Sequence, residues 1–175
     1  MPFLRFLFGV LAAIFLWALS LKIHPGSARV FDPFLIVVLH HSLRSPPLSS
    51  AGAGTCVGLV HDALTGGLYG LHGFANTLTG YLAGLVRQHF VIQQPTQVAL
   101  FCLVGGAAQV GILGLLQFML VRNADLPSAA DAVIKTALTG GLGMVVYLLA
   151  GRFFSWDRGR RERRRNKLGL DTDDV

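Results

Sequence analysis

One carboxylate and two imidazoles, His61, Asp62 and His72, lie inside the otherwise apolar run from Gly58 to Phe74. Aspartate and histidine are the residue types of general acid–base pairs and of proton relays. An aspartate at the centre of a membrane helix costs about 2.5–3.5 kcal/mol on insertion scales, so one that persists needs a partner or a purpose. Five glycines among these seventeen residues also let backbones approach closely. The run therefore reads as a tightly packed membrane hairpin with a polar joint.

As a relay or catalytic pair, Asp62 with His61 or His72 requires further polar groups along a water path. Asn76, Gln109 and Gln117 are the main others within apolar segments, and they are scattered along the chain. No HExxH, GxSxG, Walker A or paired zinc-ligand spacing is present. The sequence thus assigns no catalytic residue, no metal ligand and no cofactor. The structural alternative is stronger. Asp62 stands one turn before Thr65-Gly66-Gly67, a tight-turn signal. Its carboxylate can accept backbone N–H groups from the start of the next helix, or pair with His72, and so fix the hairpin angle.

The elements that must position these groups follow from composition. The chain has 175 residues, 53% of them hydrophobic and 14% charged, whereas a soluble domain carries about 25% charged residues. The mean hydropathy is +0.57. Six spans of about 20 residues each account for about 120 residues, leaving short loops and a tail. The expected fold class is an all-α integral membrane protein of about six transmembrane helices in a compact bundle. Residues 1–154 form one polytopic transmembrane domain, and 155–175 a basic, then acidic, tail.

Phe3 to Leu21 is apolar apart from Arg5 and Ser20. Gly26-Ser27-Ala28 resembles a signal cleavage site, but a polytopic chain retains such a segment as its first span, which is the expectation. The second apolar stretch, Val30 to Leu43, places Asp32-Pro33 at a helix start, where proline and negative charge are both favoured. His40-His41 near its end reads as an interfacial pair, since adjacent helical residues point about 100° apart. The remaining spans are Ser49 to Leu64, Leu68 to Val86, Thr96 to Val121 and Ala129 to Phe154. Asp131 and Lys135, four apart in the first turns of the last span, are placed to pair with each other. Cys56 and Cys102 fit no CxxC or Cys/His spacing and are expected as buried free thiols. The recurrence of Ala63-Leu64-Thr65-Gly66-Gly67-Leu68 at Ala137 to Leu142 falls once in a turn and once in a span, which argues for coincidence.

The net charge of +6 is concentrated. Arg158, Arg160, Arg161, Arg163, Arg164, Arg165 and Lys167 follow the last apolar segment, opposed there only by Asp157 and Glu162. Such a cluster marks the cytoplasmic side, and with six spans the N-terminus is cytoplasmic too. It also suits anionic lipid headgroups, at about 1 kcal/mol per basic residue near the surface. Nucleic acid is not indicated, because no aromatic platform or fold motif accompanies the tail.

Gly66, Gly70, Gly73, Thr77, Gly80 and Gly84 are separated by 4, 3, 4, 3 and 4 residues. That is one seam of small side chains along a helix face, the kind that drives association in lipid. It can pack against the chain's own third or fifth span, or serve as a groove for a partner's helix.

The pattern Gly58-Leu59-x-x-Asp62-x-x-x-Gly66-x-x-x-Gly70-Leu71-His72-x-Phe74, followed by Gly80-Tyr81-Leu82-Ala83-Gly84, resembles the bacterial rod shape-determining MreD family. Asp32-Pro33 looks like a rearranged form of the Pro-Asp often found at that family's second span. The resemblance implies a non-catalytic component of the cell-elongation machinery in the bacterial inner membrane. Its implied partners are MreC, the MreB cytoskeleton, and the RodA polymerase with its penicillin-binding protein. Gly58, Asp62, Gly66, Gly70 and His72 become a structural hairpin motif, and Gly73, Thr77, Gly80 and Gly84 a possible partner-binding seam. The family's fold is thought to be similar to the S-components of energy-coupling-factor transporters, which supplies an alternative function, a small-ligand-binding membrane subunit. That alternative requires a cavity lined by several convergent polar or aromatic groups near the outer face. A sequence dominated by glycine, alanine and aliphatic residues favours the scaffold.

Overall fold

The computed structural model describes residues 2–23, 31–66, 69–90, 92, 94–120 and 128–167, with backbone alone at 2–3, 129 and 150–167. The described residues form α-helices and their connections: α1 (Pro2–Ile23), α2 (Pro33–Ser42), α3 (Pro47–Thr65), α4 (Leu71–His89), α5 (Pro95–Leu120) and α6 (Ala129–Lys167). Three helices hold stretches long and apolar enough to cross a membrane, Leu4–Ile23, Pro95–Leu120 and Ala130–Leu149, with mean hydropathies of 2.2, 2.1 and 1.7. The protein is an all-α membrane protein.

Prolines mark several starts. Pro33, Pro47 and Pro95 each open a helix, where a missing N–H is one of those the first turn leaves unbonded. Asp32 caps α2, its carboxylate accepting from the Leu35 N–H at 3.1 Å. Ser128 does the same for α6 by accepting from the Asp131 N–H at 3.1 Å. The stops are less conventional. α6 runs on to Lys167 rather than ending near Phe154, because the residues that follow are mostly arginine, glutamate and lysine, which favour helix as strongly as leucine does. The basic cluster from Arg158 to Lys167 therefore falls on a helical extension, and residues 168–175 lie outside the described residues.

α2 is shorter than the expected span. At 10 residues it reaches only about 15 Å, half the hydrocarbon thickness. It is also the hub of the bundle, contacting each of the other five helices. Phe34, Leu35, Val38 and Leu39 are all fully buried. Phe34 and Val38 face one core cluster, with Ala13 and Trp17 of α1 and Val57 of α3. Leu35 and Leu39 face a second, with Ala83 of α4 and Val98, Phe101 and Cys102 of α5. Near its end, Ser42 donates to the Val38 carbonyl at 2.9 Å and reaches the Gly80 carbonyl of α4 at 3.4 Å. Packing of most of its length against the other helices explains how so short an apolar helix is tolerated.

The outward faces of α1, α5 and α6 are lined by exposed apolar side chains such as Phe8, Phe15, Leu115, Phe118, Val133 and Leu149, as a lipid-facing surface should be. Of the two thiols, Cys102 is buried as expected, but Cys56 is exposed on α3. Position 56 falls on the helix face opposite the buried Gly54 and Gly58, so helical periodicity turns it outward. His41 contacts the Phe6 ring edge-on at 5.0 Å and lies 3.4 Å from the Ser49 hydroxyl.

Candidate functional site

α3 and α4 form the most extensively packed helix pair, an antiparallel hairpin whose joint is built on Asp62. α3 stops at Gly66, which adopts φ 65° and donates its N–H to the Asp62 carbonyl at 3.1 Å. Gly70 at φ 94° leads into α4. Both backbone conformations favour glycine, and a Cβ at either position would meet nothing within 4 Å. Gly66 and Gly70 thus belong to the turn and not, as their spacing suggested, to the packing seam. Gly67 lies outside the described residues.

The Asp62 side chain is 1% exposed, and both its oxygens are doubly engaged. One oxygen accepts from the Gly70 N–H at 3.0 Å and the Gly73 N–H at 2.9 Å. The other accepts from the His72 N–H at 3.1 Å and from His72 Nδ1 at 2.8 Å. An ionised carboxylate only accepts, so Nδ1 of His72 carries the hydrogen. Three of these donors are N–H groups at the start of α4, which a helix cannot satisfy internally and whose dipole favours negative charge. The two arrangements that the sequence offered as alternatives, capping α4 and pairing with His72, coexist on one side chain.

Below the joint, the α3–α4 seam depends on absent side chains. A Cβ at Gly58 would overlap the His72 carbonyl and the Gly73 Cα, and one at Gly54 would overlap the Asn76 carbonyl. From the other side, a Cβ at Gly80 would meet the Ser50 carbonyl, and one at Gly84 the Cα of Pro47 at 2.6 Å. Thr77 contributes a polar clasp, its hydroxyl 2.8 Å from that of Thr55. Gly73, Thr77, Gly80 and Gly84 therefore face α3 of the same chain. The α3 half of this seam, Ser50, Gly54 and Gly58 at four-residue spacing, is visible in the sequence as a small-xxx-small pattern.

A second polar cluster adjoins the joint through His61. The His61 side chain is 6% exposed, stacks on Phe34 at 4.7 Å between ring centroids, and lies 4.2 Å from the His72 ring. Its Nδ1 stands 4.0 Å from the nearer Asp32 oxygen and makes no hydrogen bond. Asp32 is paired instead with Lys135 of α6, at 3.1 Å, and accepts from Gln109 Nε2 of α5 at 3.0 Å. Gln109 donates also to Asn76 of α4 at 2.7 Å. Both amides are fully buried.

This cluster corrects two expectations. Lys135 pairs with Asp32 on another helix, not with Asp131 one turn away. Asn76 and Gln109 are not scattered but bond to each other, and Gln109 bonds to Asp32 as well; Gln117 has no hydrogen bond at its buried Oε1. The signal available in the sequence was Lys135 itself, a cation inside an apolar helix that requires a counterion. Asp32 and the nearer Asp131 were both open to it on sequence grounds.

Among the described residues, no group of three His, Cys, Asp or Glu side chains is arranged to hold a metal ion. The two carboxylates instead tie helices together: Asp62 joins α3 to α4, and Asp32 joins α2 to α5 and α6.

No curated protein and no solved structure matches the chain. A family model, described as rod shape-determining protein MreD, matches residues 1–153. That range includes the hairpin joint, the α3–α4 seam and the Asp32–Lys135 pair, and it ends before the basic extension of α6. The chain belongs to the MreD family of rod shape-determining proteins.

Proposed function

We propose that this protein is a non-catalytic scaffold of the cell-elongation machinery in the bacterial inner membrane. Family membership gives it a role in rod shape determination and an association with cell-shape partners. In the reading advanced here, those partners are MreC, the MreB cytoskeleton, and the RodA polymerase with its penicillin-binding protein. The observation that carries the non-catalytic part is the state of Asp62. Its two oxygens already accept four hydrogen bonds from its own chain, which occupies Asp62 in holding the hairpin and disfavours it as a base. Asn76 and Gln109 likewise bond to each other, and Gln109 to Asp32, which supports a joint between helices over a ligand site of the S-component kind. Gly58, Asp62, Gly66, Gly70 and His72 act as the hairpin motif. The Gly73–Thr77–Gly80–Gly84 seam acts within the fold, and partners use other surfaces.

The test is recovery of partners from detergent-solubilised membranes. MreC and RodA should co-purify with the full chain above the level of an unrelated multi-pass protein. Recovery of transporter ATPases in their place would overturn the scaffold reading.

We also propose a multi-pass arrangement with both ends cytoplasmic: residues 1–154 as the membrane domain, and 155–175 as a tail against anionic headgroups. The basic residues from Arg158 to Lys167 support this orientation. Reporter fusions at Val175 and at Ser128 should report opposite sides of the membrane. A periplasm-only reporter that is active at Val175 would invert the topology.

A further inference from the structure

We propose that an internal water molecule bridges His61 Nδ1 of α3 to Asp32 Oδ1 of α2, making a hydrated joint inside the bundle. This site goes beyond the scaffold reading and does not depend on it. Its basis is the pairing of buried donors and acceptors. The His61 ring is enclosed, stacked on Phe34 and beside the His72 ring, yet its Nδ1 has no hydrogen-bond partner. Buried polar atoms are almost always bonded, either to protein or to ordered water. Opposite it, the two oxygens of Asp32 are used unequally. Oδ2 accepts from Gln109 Nε2 at 3.0 Å and lies 3.1 Å from Lys135 Nζ, which fills both of its lone-pair sites. Among the described residues, Oδ1 accepts only from the Leu35 N–H, at 3.1 Å, so one site on it stays open.

Nδ1 and Oδ1 stand 4.0 Å apart, too far for a direct hydrogen bond and suited to a single intermediary. Two hydrogen bonds of about 2.8 Å that close on this gap meet at about 90°, an angle a water can adopt. Local charge selects the intermediary. Asp32 and Lys135 compensate each other, so a cation would meet the ammonium and an anion the carboxylate. What fits is a small neutral group that both donates and accepts. Water does so for either tautomer of His61: it accepts from an Nδ1–H or donates to a bare Nδ1, and in both cases it donates to Oδ1. Where Nδ1 carries the hydrogen, the water's second hydrogen can go to Gln109 Oε1. That oxygen is buried without a partner, on the amide that already bonds Asp32.

The bridge closes a polar ring through four helices. Asp62 ties α3 to α4, Asn76 and Gln109 tie α4 to α5, and Gln109 ties α5 to Asp32 of α2. The water supplies the return from α2 to α3.

The test is a structure of the full-length protein at a resolution that shows ordered waters. A density peak should lie about 2.6–3.2 Å from both His61 Nδ1 and Asp32 Oδ1. No peak between two well-ordered side chains, or a direct bond between them, overturns the proposal. Melting in detergent gives an independent sign. His61→Phe keeps an aromatic ring against Phe34 and removes Nδ1. If a water holds that atom, the variant loses the bridge and should melt lower, by about 2–4 °C. If Nδ1 is instead an unpaired buried atom, removing it relieves a penalty. The variant then melts at or above the parent, and the proposal fails. Should His61→Phe not fold, the density in the parent protein decides.

Discussion

Asp62→Leu should abolish accumulation of folded protein, and Asp62→Asn should fall between it and the parent chain. Leucine removes the acceptor for three backbone N–H groups and for His72 Nδ1, leaving donors that are buried or partly buried without a partner. Each buried donor stranded in this way costs about 1–3 kcal/mol, which together consumes much of a typical folding free energy. Asparagine keeps one acceptor oxygen. Placed toward His72, it satisfies the His72 N–H and Nδ1 but turns its own NH2 onto the Gly70 and Gly73 N–H groups. Placed the other way, it reverses which pair is lost. Either way about half the joint survives. Thermal aggregation of purified protein in detergent should rank parent, Asp62→Asn and Asp62→Leu in descending order. If both variants melt like the parent yet no longer support rod shape, Asp62 is a contact site and the hairpin reading fails.

That joint was legible in the sequence because its signal is local. Asp62 and His72 are 10 residues apart, the helices they join are consecutive, and glycine marks both sides of the break. A carboxylate in such surroundings has few candidate partners, and they lie within one hairpin. The cluster at Asp32 was not legible for the opposite reason. Lys135 and Gln109 reach it from two helices distant in sequence, Asn76 joins only through Gln109, and nothing in a linear pattern ranks Asp32 above the nearer Asp131 as the counterion. Burial chose between them: Asp32 caps the one helix that touches all the others, so its charge is enclosed and needs neutralising.

The enclosure of α2 was not legible on the same ground. An apolar stretch bounded by prolines looks alike whether lipid or protein surrounds it, and only the packing shows Phe34, Leu35, Val38 and Leu39 fully enclosed. The seam was half legible. Spacing identified Gly73, Gly80 and Gly84 but added Gly66 and Gly70, which share the period while serving backbone conformation. It could not show which neighbour the seam meets.

The seam yields the second large effect. Alanine at Gly54 or Gly58 should destabilise the protein sharply, whereas alanine at Gly52 or Gly114 should not. A single methyl at Gly58 collides with the His72 carbonyl and the Gly73 Cα, and at Gly54 with the carbonyl and carbonyl carbon of Asn76. These are backbone atoms of α4, so no rotamer change relieves the overlap and the helices must separate. Overpacking of a well-packed site costs about 1–3 kcal/mol. At Gly58 the displacement also moves the His72 and Gly73 N–H groups off Asp62, adding the loss of those hydrogen bonds. A Cβ at Gly52 or Gly114 meets nothing within 4 Å, and replacing a mid-helix glycine by alanine gains up to about 1 kcal/mol. Melting in detergent should therefore fall for Gly54→Ala and Gly58→Ala and hold or rise for Gly52→Ala and Gly114→Ala. The reading also separates fold from docking: a Gly58→Ala protein that melts normally but no longer recovers MreC would make the seam a partner surface. If all four variants melt alike, close approach of α3 and α4 contributes nothing to stability.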